Sequence, residues 1–95
     1  MRLTNQNREI IRNAFAEFFS DGEIFLFGSR TDDSKRGGDI DLLILSDYKR
    51  DFKIISNFRI ALLRRLGDRK IDILNYAYGD ESPFLNLIKL NAEKI

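Results

Sequence analysis

Apolar residues recur along the chain with two periods, and each change of period marks a new element. From Asn5 to Phe19, Ile11, Ala14, Phe15, Phe18 and Phe19 fall at three- and four-residue intervals between Asn7, Arg8, Arg12 and Asn13. That spacing makes one stripe of a helix. Thr4 is placed to cap its start, and Ser20-Asp21-Gly22 to close it. Ile24 to Phe27 is a short, unbroken apolar run, which predicts a buried strand ended by Gly28. Thr31 to Gly38 is polar and finishes in two glycines, so it reads as a loop. Ile40 to Leu45 is a second apolar run and a second strand. Phe52 to Leu66 returns to helical period through Ile55, Phe58, Leu62 and Leu66, and Gly67 follows where a helix-terminating glycine belongs. Lys70 to Tyr76 alternates as a third strand. Ser82-Pro83 joins an N-cap to a proline at the first helical position, opening a last helix with Phe84, Leu87, Ile88, Ala92 and Ile95. The order predicts an α/β (or α+β) fold: a small mixed three-stranded sheet with helices packed on one face. Residues 1–95 are expected to form a single domain.

Composition mainly excludes. Cysteine and histidine are both absent, so disulfides, thiol catalysis, thiolate or imidazole zinc sites and a histidine base all fall away. Acid–base work is left to carboxylates, lysines or tyrosines. Sixteen basic and fifteen acidic residues leave a net charge of +1, so no bulk attraction to nucleic acid is expected. No apolar run approaches the roughly 20 residues needed to cross a bilayer, and no signal-peptide pattern opens the chain. A cytoplasmic protein with no membrane contact is expected.

Chemistry concentrates in Phe25-Leu26-Phe27-Gly28-Ser29-Arg30 and Gly37-Gly38-Asp39-Ile40-Asp41-Leu42. In a strand, Asp39 and Asp41 share a face while Ile40 points to the other. Two like charges side by side are costly unless a cation or several hydrogen bonds compensate them. Mg²⁺ is the simplest compensation, because hard divalent cations choose carboxylate oxygens. A Gly-Ser turn at a strand end can offer backbone N–H groups to phosphate. Asp72 is the acid inside the third apolar strand. If that strand neighbours the second with coincident faces, Asp39, Asp41 and Asp72 converge as a metal site for two ions, and Asp72 is placed to take a proton from an attacking hydroxyl. Arg36 is a candidate phosphate contact, whereas Asp32 and Asp33 read as solvated loop charges. A P-loop is excluded, since no Gly-Lys-Ser/Thr follows Gly28 at the required spacing.

Taken together, Gly28-Ser29-Arg30 and Asp39-Ile40-Asp41-Leu42-Leu43-Ile44 resemble the Gly-Ser…Asp-x-Asp signature of the polymerase-β-like nucleotidyltransferases, and the short chain is similar to their minimal members. The resemblance implies nucleotide binding at Gly28, Ser29, Arg30 and Arg36, Mg²⁺ held by Asp39, Asp41 and Asp72, and ATP as the substrate. It also implies a small helical HEPN-type partner, with the chain acting as an antitoxin by transferring AMP to a hydroxyl of that partner. An inactive antitoxin or assembly subunit, working by binding alone, is the alternative. The chain departs from the family pattern at Thr31-Asp32-Asp33-Ser34, where small and basic residues are usual. Leu43, Leu45 and Leu74 extend the carboxylate face and require a cover, either a second chain (another copy or the helical partner) or the last helix.

Overall fold

The computed structural model of the chain describes residues 3–28, 39–67 and 69–95. Helix α1 (Asn5–Phe18) begins where Thr4 Oγ1 accepts the Asn7 N–H at 3.0 Å, and it buries Ile11, Ala14 and Phe15. Strand β1 (Glu23–Phe27) pairs antiparallel with β2 (Ile40–Ser46), setting Phe27 opposite Asp41. Parallel neighbours require a crossover, and α2 (Phe52–Leu66) supplies it before β3 (Ile71–Ala77). Asp51 caps the start of α2, and Gly67 at φ +86° ends it, a conformation L side chains rarely adopt. Helix α3 (Pro83–Lys89) starts at the Ser82 cap. A two-residue β4 (Glu93–Lys94) then returns to pair with β1, giving the order β3-β2-β1-β4.

The fold class is as expected, with two differences. The sheet has a fourth strand where the last helix was expected to continue. The Ile95 N–H donates to the Ile24 carbonyl at 3.0 Å, and Ile95 packs on the core under α1 and α2. A helix running through Ile95 would forgo that contact and leave this margin of β1 unpaired. The helices also do not share one face. Ile40, Leu42 and Ile44 face α1 and α2, around Phe58 and Leu62, whereas Leu43 and Leu45 lie under Leu85 and Ile88 of α3. The last helix, and not a second chain, therefore covers Leu43 and Leu45, at 0% and 6% exposure. Burying one such leucine contributes about 1.5–3 kcal/mol. Phe84 and Leu87, from the expected stripe, point outward, because α3 turns Leu85 and Ile88 to the sheet.

One polar cluster ties the far ends of the strands together. Asn75, 7% exposed, donates from Nδ2 to the Ile44 carbonyl and to Ser46 Oγ, each at 3.1 Å, and its Oδ1 accepts the Arg50 N–H at 2.7 Å. The Arg50 guanidinium pairs with Asp21 and lies 4.1 Å from the Tyr48 ring centroid. The Asp47 N–H, with Arg50 beside it, holds the Asp21 carboxyl below the usual carboxylate range. A lowered folded-state pKa means that the ionised form favours the fold. Its contribution is present above the unfolded value, about pH 4, and disappears as pH falls through the folded one. Asp21→Asn is expected to lower stability at neutral pH and to narrow the gap from wild type under acid. Urea midpoints at about pH 7 and about pH 3 measure this, and an equal loss at both pH values would refute it.

Candidate active site

The site is built at the end of the sheet opposite the Asn75 cluster. Strand β2 is a continuous apolar run whose residues alternate between the two buried layers, and Asp41 is its single acid. Asp41 falls on the face of Leu43 and Leu45, where α3 does not reach the strand's beginning, and it is half-buried. Parallel pairing then sets Asp41 directly in register with Asp72 of β3. Register partners in neighbouring strands present their side chains on the same face, with backbones about 4.8 Å apart. The coincidence of faces expected from the sequence is therefore present. Asp72 is exposed, and Asp39, one residue before β2, is half-buried on the same side as Asp41.

Gly28 completes this end. Strand β1 stops at Phe27, opposite Asp41, and Gly28 follows at φ +68°. A Cβ added there would lie 2.9 Å from Asp41 Oδ2, closer than real Cβ atoms come. The left-handed backbone favours glycine there, and a methyl group would push the end of the Asp41 side chain aside. Gly28→Ala is expected to cost about 1–2 kcal/mol for the backbone alone and to displace the Asp41 carboxylate. Its activity should fall further than its stability accounts for. A thermal melt beside a transfer assay separates the two, and a proportionate loss would remove the steric role.

Like charges directly opposite one another on a sheet are destabilising. Asp41 and Asp72 stand in register on one face, with Gly28 beside Asp41. The donor set suits a hard divalent cation. Among the described residues, no three acidic side chains are gathered closely enough to enclose an ion. What the strands provide is the register of Asp41 with Asp72 and a face that Asp39 shares. Ser29, Arg30 and Arg36, expected at the phosphate side, lie outside the described residues, as do Asp32 and Asp33. A cleft of about 320 Å³ opens elsewhere, between the start of α2 and β3, lined by Phe52, Ile55, Ile73 and Tyr76 among others. None of the candidate carboxylates lines it.

Comparison with known families turns this geometry into an assignment. Residues 8–94 match the family model described as a nucleotidyltransferase domain. The chain belongs to the nucleotidyltransferase domain family. The resemblance to the nucleotidyltransferases is thereby borne out at family level. Solved structures agree on the fold of this nucleotidyltransferase. It superposes with a TM-score of 0.73 on a Shewanella oneidensis chain from a tri-AMPylated HEPN toxin in complex with an MNT antitoxin, at 19% identity, covering 97% of this chain and 71% of that one. A toxin–antitoxin structure, MntA-HepT, gives 0.71 at 18% identity, covering 96% and 70%. A further toxin–antitoxin structure, with AMP-PNP, gives 0.72 at 21% identity, covering 96% and 72%. The comparison with curated proteins finds no match. Among the described residues, no helix of the nucleotidyltransferase is long and apolar enough to cross a membrane.

Sequence reasoning missed the Asp21–Arg50–Asn75 cluster, whose members stand 25 and 29 residues apart. An acid, a base and an amide that distant carry no signal of pairing. It also passed over Lys70, the residue two before Asp72.

Proposed function

We propose that this nucleotidyltransferase is a Mg²⁺-dependent enzyme that transfers AMP from ATP to a hydroxyl of a partner protein. The partner is a small helical HEPN-type toxin, and the chain is its cytoplasmic antitoxin. The observation that carries the reading is the register of Asp41 with Asp72 beside the Gly28 turn. Support for the nucleotide and the partner comes from the fold neighbours, one described with an AMPylated HEPN toxin and one with AMP-PNP.

Each residue has a defined task on this reading. Asp39, Asp41 and Asp72 hold Mg²⁺, which when bound supplies charge neutralisation at the phosphoryl group. The Gly28 turn, with Ser29, holds the β- and γ-phosphates, and Arg30 and Arg36 add positive charge there. Asp72 accepts the proton of the acceptor hydroxyl. The acceptor oxygen forms its bond to the α-phosphorus as the α–β bridging bond breaks, and pyrophosphate leaves. Positioning supplies much of the acceleration, because phosphoryl transfer asks little covalent chemistry of the protein.

The test is incubation with Mg²⁺, α-labelled ATP and a small helical HEPN-type protein as acceptor. Label on the partner is expected. Suppression of the partner's effect with no label would leave binding alone as the function.

A further inference from the structure

Lys70 stands one residue before β3, and its carbonyl accepts the Ile40 N–H at 2.9 Å. The pairing of β2 with β3 opens at Ile40 and Ile71, so one step back along both strands sets Asp39 beside Lys70. Alternation carries Lys70 onto the face of Asp72, since Ile71 between them is buried in the core under α1 and α2. Lys70 is exposed, and among the described residues it forms no ion pair. A cation therefore stands at the edge of the carboxylate face, committed to nothing within the described fold.

Strand order decides which half of a transfer this cation serves. Gly28 follows β1, on one side of β2, and Lys70 precedes β3, on the other. Phosphates cradled at Gly28 put the leaving pyrophosphate over β1. Lys70 is then on the opposite flank, with Asp72, where the acceptor enters. A lysine ammonium is a compact, mobile point charge on a long stem. Beside Asp72 it can reach an oxygen that is losing its proton.

We propose that Lys70 is an acceptor-side catalytic residue: its ammonium contacts the acceptor oxygen and stabilises the negative charge gathering there as the bond to phosphorus forms. The proposal rests on the nucleotidyl-transfer reading above. A cation that meets charge only as it develops acts in the transition state more than in the ground state. Its removal should therefore appear in kcat and not in the affinity for ATP.

The experiment is steady-state labelling of the partner with Mg²⁺ and α-labelled ATP by wild type, Lys70→Met and Lys70→Arg. Lys70→Met is expected to lower kcat on the order of 10²-fold while KM for ATP stays within about twofold. Lys70→Arg should recover most of the loss by restoring the charge. An unchanged kcat in Lys70→Met overturns the proposal, as does a raised KM for ATP with kcat kept. Equal impairment of both variants together with a lowered melting temperature would reveal a structural residue and overturn it as well. Lys70→Gln replaces the Met variant if that protein does not fold. Absence of labelling by wild type is a different failure, because it defeats the transfer reading itself.

Discussion

Asp41→Asn is expected to abolish nucleotidyl transfer while leaving the protein folded. The change is nearly isosteric and removes one negative charge from a half-buried position in register with Asp72. The side chain keeps its shape and half-buried place, so the protein should still melt cooperatively. Transfer should fall by at least about 10³-fold, corresponding to about 4 kcal/mol of transition-state stabilisation lost with one metal-binding carboxylate. Loss of transfer in a protein that still folds is the signature of a residue kept for chemistry. Retained labelling in a folded Asp41→Asn protein would break the proposed site at its centre.

The largest effect on stability is expected from Phe58→Ala. Phe58 is fully buried on α2, and its ring meets Phe15, Phe18 and Phe19 edge-on at centroid distances of 6.2, 5.9 and 5.6 Å. Truncation removes the ring that those contacts converge on and leaves a cavity between α1 and α2. Phenylalanine-to-alanine changes in such cores cost about 3–5 kcal/mol. For a domain of this size that is a fall in melting temperature on the order of 15–30 °C. Urea denaturation with an unchanged slope would measure it. A loss below about 1 kcal/mol would mean that the aromatic cluster does not hold the two helices together.

Much of the fold was legible because several boundaries are written in single residues. Thr4, Ser82-Pro83 and Gly67 cap or stop helices where the sequence expects them. The end of the chain was not legible, for a physical reason. Phe84, Leu85, Leu87, Ile88 and Leu90 allow more than one apolar stripe, and the choice between them is made by Leu43 and Leu45 across the gap. Glu93-Lys94 carries no strand pattern at all, and its pairing is a property of the free margin of β1. The carboxylates were legible for the opposite reason. A half-buried acid within an apolar strand, as at Asp41, stands out in the sequence. Its register with Asp72 is a tertiary fact that sequence could pose only as a condition, and the parallel pairing of β2 with β3 meets it. Lys70 gave no such signal, since a lysine just before a strand is commonplace.

The order of strands also governs traffic. Among the described residues β3 is the outermost strand, whereas the glycine turn sits on the inner side of the carboxylates. On the proposed chemistry, nucleotide and acceptor approach from different directions and need not compete for one doorway. On that reading the acceptor reaches Asp72 along the outer margin of β3, a direction open to a residue still attached to a folded molecule.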